Sequence, residues 1–257
     1  MDLILDNQQI HLSIDYSVLS KEKKTIIFLH DSLGCIALWR NFPERIALKT
    51  QCNTLSYDRL GYGKSAPFTT SKRENDYLTK EAEILAKIID QLQLTDVVLF
   101  GHSDGGSIAL LTAALFPKKI TGIITEGAHV FVEKETISGI KEAVIAYKNT
   151  NLKEKLSKYH GDKTDDVFRM WTETWLSDSY QSWNIEKYLP MITCPSLIIQ
   201  GEKDEFGTIK QVTSIVENTS GNSIPLVIPG IGHTPHKESS EAVLQNTVSF
   251  INDLPKK

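Results

Sequence analysis

Apolar runs of two kinds alternate along this chain. Thr25–His30, Val97–Phe100, Ile120–Thr125 and Cys194–Gln200 are dominated by apolar residues, the pattern of inner parallel strands covered on both faces. Glu81–Leu92 instead repeats its apolar positions at helical spacing, at Ile84, Leu85, Ile88, Ile89 and Leu92. An opening pair, Leu3–Leu5 and His11–Tyr16, alternates as a half-buried antiparallel hairpin does. A helix at Ala37–Lys49, a strand at Asn53–Tyr57, a helix at Ile209–Val216, a strand at Ile224–Ile228 and an amphipathic helix at Glu238–Leu254 complete the series. Strands and helices in regular alternation predict βαβ units, and hence an α/β protein with a doubly wound, mainly parallel eight-stranded sheet.

The rhythm breaks between His129 and Trp183. That stretch carries only helical segments, among them Lys141–Lys148 and Asp165–Leu176, and holds Trp171, Trp175 and Trp183. Phe168, Trp171 and Trp175 share one helical face, an aromatic wall that either packs on the main domain or lines a pocket beneath a lid. The predicted organisation is a core in two parts, residues 1–128 and 187–257, with a helical cap inserted at 129–186.

Composition narrows the class. A chain of 257 residues that is 40% hydrophobic can bury a sizeable core. Its net charge is −4 and its basic residues are scattered, which argues against nucleic acid and anionic membranes as partners. Runs such as Lys21-Glu22-Lys23-Lys24 read as solvated turns. Met1-Asp2-Leu3 opens no basic and apolar leader, and no window approaches the length of a membrane span, so a soluble cytoplasmic protein is expected. Cys35, Cys52 and Cys194 are odd in number and lack metal-like spacing, as suits a reducing compartment with no metal site.

The candidate chemistry centres on Gly101-His102-Ser103-Asp104-Gly105, between the apolar run ending at Phe100 and the helix-like Ile108–Leu111. A strand, a sharp glycine-flanked turn and a helix place one serine at the apex in strained backbone geometry, as a nucleophile requires. A phosphate loop is excluded because Ser107-Ile108 stands where Lys and Ser or Thr belong, and Ser103 occupies the second glycine position of a dinucleotide fingerprint. A serine merely capping a helix is the plain alternative. Ligands of doubly wound sheets gather at the carboxyl ends of the strands. Four polar loops fall there: His30–Gly34, the serine turn, Gly201–Gly207 with Asp204, and Pro229–His233. A serine hydroxyl needs a base titrating near neutrality, imidazole supplies one, and a carboxylate must hold the ring's tautomer. The last three loops follow in the order serine, acid, histidine, which is that of α/β-hydrolase triads. Developing charge on a carbonyl oxygen needs two fixed donors, assigned to the backbone N–H groups of Ser32 and Asp104.

These stretches, with the turn Asp58–Ser65, resemble the α/β-hydrolase superfamily over essentially the whole chain, in its capped branch of small esterases and C–C hydrolases. Asp31 departs from the family, which has glycine after the loop histidine, and puts a side chain near the oxyanion site. The resemblance favours Asp204 over Glu202 and Glu205 as the acid, with Glu126 as second choice or pocket wall. His233 is preferred to His236, which follows proline and opens the last helix. His30 and His102 border the site, whereas His11, His129 and His160 have no constellation. The expected pocket draws on His30, Asp31, Glu126, Trp171 and Trp175. The implied function is a serine hydrolase that cleaves a small or medium carboxylic ester through an acyl-enzyme, without a cofactor. C–C bond or thioester cleavage is the alternative, and a non-catalytic receptor of this fold a further one. The elbow is also similar to that of α-amino-acid ester hydrolases of the valacyclovir hydrolase kind. A cationic substrate follows if the Asp104 carboxylate faces the pocket.

Overall fold

The computed structural model describes residues 1–15 and 23–255. Tyr16 of the opening hairpin and Lys21-Glu22 of the charged turn lie outside the described residues. Strands β1 (Asp2–Leu5), β2 (Gln8–Asp15), β3 (Thr25–Leu29) and β4 (Asn53–Tyr57) are followed by β5 (Val97–His102), β6 (Ile120–Glu126), β7 (Ser196–Gly201) and β8 (Ser223–Ile228). They form one sheet in the order β1-β2-β4-β3-β5-β6-β7-β8. β1 and β2 pair antiparallel, as do β2 and β4, and every later pairing is parallel. The eight-stranded, mainly parallel sheet is therefore as expected.

Period-two alternation divides the buried strand residues between two cores. Ile26, Phe28, Val98, Phe100 and Ile124 join one cluster with helices α1 (Phe42–Thr50) and, at the chain's end, Ser240–Asp253. Ile27, Leu29, Val97, Leu99 and Ile123 join the other, with α2 (Tyr77–Gln91) and α3 (Asp104–Leu115). α3 is buried at every position from Asp104 to Ala114, so its apolar residues need no one-sided stripe.

Between β6 and β7 the chain forms α4 (Lys134–Asn149), α5 (Leu152–His160) and α6 (Thr164–Trp175). An isolated antiparallel bridge, Phe131 with Asn184, closes the neck of this insertion. His160, at the end of α5, fastens it to the sheet domain: its Nδ1 accepts from the Gly63 N–H at 3.1 Å and its Nε2–H donates to the Leu33 carbonyl at 3.0 Å. After β7 come α7 (Ile209–Asn218), then α8 (Pro235–Glu238) and α9 (Ser240–Asp253).

Two expected helices divide. The one expected at Ala37–Lys49 is a 3-10 turn at Ile36–Trp39 followed by α1, with Arg40 between them at φ 53°. The one expected at Glu238–Leu254 breaks at Ser239 (φ −133°, ψ 51°). There the Glu238 carboxylate turns back to accept from the Gly232 and Thr234 N–H groups at 2.9 and 3.0 Å, which holds α8 as a single turn against the preceding loop.

Candidate active site

β5 delivers Ser103 at φ 54° and ψ −118°, a conformation that non-glycine residues adopt at a cost. Close packing allows nothing larger on either side. A Cβ at Gly101 would lie 2.2 Å from the Gly105 carbonyl oxygen, and one at Gly105 would lie 2.0 Å from that of Leu29. The strain is held by neighbours: the Ser103 N–H donates to the Glu126 carbonyl at 2.9 Å, and the Ser103 carbonyl receives the Gly106 and Ser107 N–H groups.

A cavity of about 420 Å³ lies over this turn, bordered by both Ser103 and His233. Leu33, Ile140, Leu152, Trp171, Trp175 and Phe206 supply its apolar wall. Ser32 and Asp104 border it as well. As the first residue of α3, Asp104 carries one of the N–H groups that a helix start leaves unpaired. His233 Nδ1 lies 2.8 Å from Asp204 Oδ1, which also accepts from the Phe206 N–H at 2.9 Å. Contact with a carboxylate places the proton on Nδ1 and leaves Nε2 as the ring's base. Burial opposes charge on His233, but the Asp204 carboxylate, by its charge and its hydrogen bond, and the charges of Glu205 and Asp31 together outweigh that and hold the ring above its usual range. Asp204 is correspondingly depressed: burial raises it, and His233, the Phe206 N–H and His129 together lower it by more. Its rivals do other work. Glu202 accepts from the Gly230 N–H and Glu205 from the His233 N–H, so the acid loop positions the histidine's backbone as well as its ring.

Three expectations about the pocket change. His30 does not border the cavity. It is buried beneath the loop, with Nδ1–H donating to the Asp31 carbonyl and Nε2 accepting from the Arg59 N–H, and burial, with the Arg59 charge adding, lowers its pKa well below the usual value. Glu126 is no pocket wall and does not reach His233; its carboxylate accepts from the ring and the N–H of His236. The Asp104 carboxylate is not free to receive a substrate cation. It is 1% exposed and faces the fully buried Arg59 guanidinium at 3.4 Å. It also accepts from the Tyr77 hydroxyl at 3.1 Å, and Tyr77 in turn accepts from the Trp175 indole N–H at 2.9 Å. Trp171 and Trp175 do line the cavity, as does Asp31.

Sequence reasoning passed over His129, Phe206 and Lys237, all of which border the cavity. His129 is buried, its ring centroid 5.9 Å from that of His233, and its Nε2–H donates to the Phe206 carbonyl. The Phe206 ring lies 4.7 Å from the His233 ring. The signal for His129 was available: it follows the carboxyl end of β6, where ligand-binding loops gather.

Replacing Arg59 by methionine is expected to cost about 3–5 kcal/mol of folding stability, because it leaves the Asp104 carboxylate buried without its cation. Urea unfolding measures this. Adding Asp104→Asn removes the orphaned charge, so the double variant should regain stability relative to Arg59→Met.

Residues 24–144 match the family described as alpha/beta hydrolase fold. MGS-M2, described as an alpha/beta hydrolase enzyme from a deep-sea metagenome library, superposes with a TM-score of 0.82 at 21% identity, covering 100% of this chain and 99% of that one. With the strand order and the elbow, these findings show that the chain has the α/β-hydrolase fold. The chain is 27% identical to the mouse (Mus musculus) serine hydrolase BPHL over 191 residues, which are 71% of this chain and 64% of that protein. It is 24% identical to the 2-hydroxy-6-oxononadienedioate/2-hydroxy-6-oxononatrienedioate hydrolase of Escherichia coli O81 over 267 aligned positions, 93% of this chain and 91% of the relative.

Proposed function

We propose that the chain is a serine hydrolase cleaving small or medium carboxylic esters, with Ser103 as nucleophile, His233 as general base and acid, and Asp204 as the ring's orienting carboxylate. The observation that carries this reading is the 2.8 Å Asp204–His233 pair on the same cavity as a serine held at positive φ. In the forward step His233 Nε2 takes the Ser103 proton while Oγ bonds to the ester carbon. The carbonyl oxygen becomes an oxyanion received by the Ser32 and Asp104 N–H groups. When the tetrahedral species collapses, the ring returns the proton to the departing alcohol and an acyl-serine remains. Water, deprotonated by the same nitrogen, then releases the acid and restores Ser103. The scheme calls on no metal and no cofactor.

The largely apolar wall of a modest cavity supports a short acyl or alkyl group in preference to a long lipid chain. Similarity to the E. coli relative supports C–C bond hydrolysis as the second reading. A fluorophosphonate probe should label Ser103 stoichiometrically, with labelling abolished by Ser103→Ala and weakened by His233→Ala. A chain-length series of chromogenic esters should give its highest kcat/KM among the short members. Labelling of any other residue, or no turnover across a series that includes thioesters and vinylogous diketones, would reject the proposal.

A further inference from the structure

Behind the proposed triad lies a second acid and histidine pair that the mechanism does not use. Glu126 ends β6 and is fully buried, and His236 in α8 is buried as well. The Glu126 carboxylate accepts twice from His236, from the ring Nδ1–H and, at 3.1 Å, from the backbone N–H. Glu126 is also the residue whose carbonyl accepts the Ser103 N–H at 2.9 Å. One residue thus grips the serine turn with its backbone and, with its side chain, the segment three residues past His233. A second tie runs parallel to it. His102, immediately before Ser103, donates its Nε2–H to the carbonyl of His233 at 2.8 Å. Burial pushes the His102 ring down to about 4, so it is neutral and keeps that single donor. The rings of His102 and His236 meet edge to face at 5.3 Å, while Trp39 and Phe42 pack on the other sides of His236.

We infer that Glu126, acting through His236, is a positioning residue that sets the distance between Ser103 and His233. The inference rests on the triad reading above. Asp204 orients the imidazole about its own axis; the Glu126 and His102 ties fix where the loop carrying that imidazole stands relative to the nucleophile. His102, Glu126 and His236 also offer ligand atoms within 4.8 Å of one another. Both carboxylate oxygens of Glu126 are already engaged by His236, which favours the hydrogen-bonded pair over a metal centre.

The test separates positioning from mere support of the fold. Wild type, Glu126→Ala and Glu126→Gln are titrated with a fluorophosphonate, giving both the fraction of competent sites and the labelling rate constant per site, and are assayed with a short chromogenic ester. Displacing the loop by about 1 Å is expected to lower the per-site rate constant and kcat about 10²-fold, with KM unchanged and nearly all sites still titratable. Glu126→Gln keeps one acceptor oxygen and should recover most of the loss. A reduced titratable fraction with an unchanged per-site rate would show that Glu126 only supports folding, and would overturn the inference. So would stoichiometric bound metal in the wild type whose removal by chelation lowers the rate. Labelling that survives Ser103→Ala would instead mark failure of the triad reading itself.

Discussion

Ser103→Ala is expected to keep the fold and lose ester turnover by about 10⁶-fold in kcat, the loss typical when a serine nucleophile is removed from an intact triad. The fold should survive because the substitution deletes one oxygen at the cavity edge and nothing else. The positive φ is no worse for alanine than for serine, and the bonds that hold the turn, Ser103 N–H to Glu126 and Gly106 N–H to Ser103, are made by the backbone. Measured kcat and a urea unfolding midpoint, taken on the same preparation, check both halves. Turnover above one per cent of wild type would show that the nucleophile lies elsewhere.

Asp204→Asn is expected to lower kcat about 10⁴-fold while leaving the ring close to its present place, because an amide no longer fixes the proton on Nδ1. The pH dependence carries a second, independent signature. In the proposed mechanism His233 acts as a base only when neutral, so kcat/KM in the wild type is expected to fall as pH drops through the ring's pKa. The Asp204 carboxylate, with the charges of Glu205 and Asp31, holds that pKa above the usual imidazole value against the opposing effect of burial. Without the carboxylate, burial acts with less opposition and the limb should move to lower pH. A pH profile of kcat/KM in both proteins tests the sign, and a limb that stays in place would remove Asp204 from the role assigned to it.

Much of the architecture was legible before any coordinates, for local reasons. Apolar runs such as Val97–Phe100, too short for a helix, become inner strands covered on both faces, whereas the pairing of β5 with β3 and not with β4, the strand before it, is set by the tertiary structure. The helices α4 to α6 between β6 and β7 fall where the alternation of strands and helices stops. The serine turn was legible because its glycines answer steric demands met within a few residues. Helix ends were less so: the break at Ser239 depends on where Glu238 finds its partners across the loop at Gly232, which no periodicity records.

The sequence alone singled out the serine, the acid loop and the histidine loop as candidates, since each is a short stretch at the end of an apolar strand and chain order ranks them. Only the tertiary structure decided which charges are free. Asp104 and Glu126 look alike in sequence, two carboxylates at strand ends, yet one faces the Arg59 guanidinium, 45 residues away, and the other is hydrogen-bonded to the His236 ring, 110 residues away. The fate of a buried charge is set by whichever partner the fold brings within a few ångströms, and that distance is a property of packing that no local pattern of residues carries.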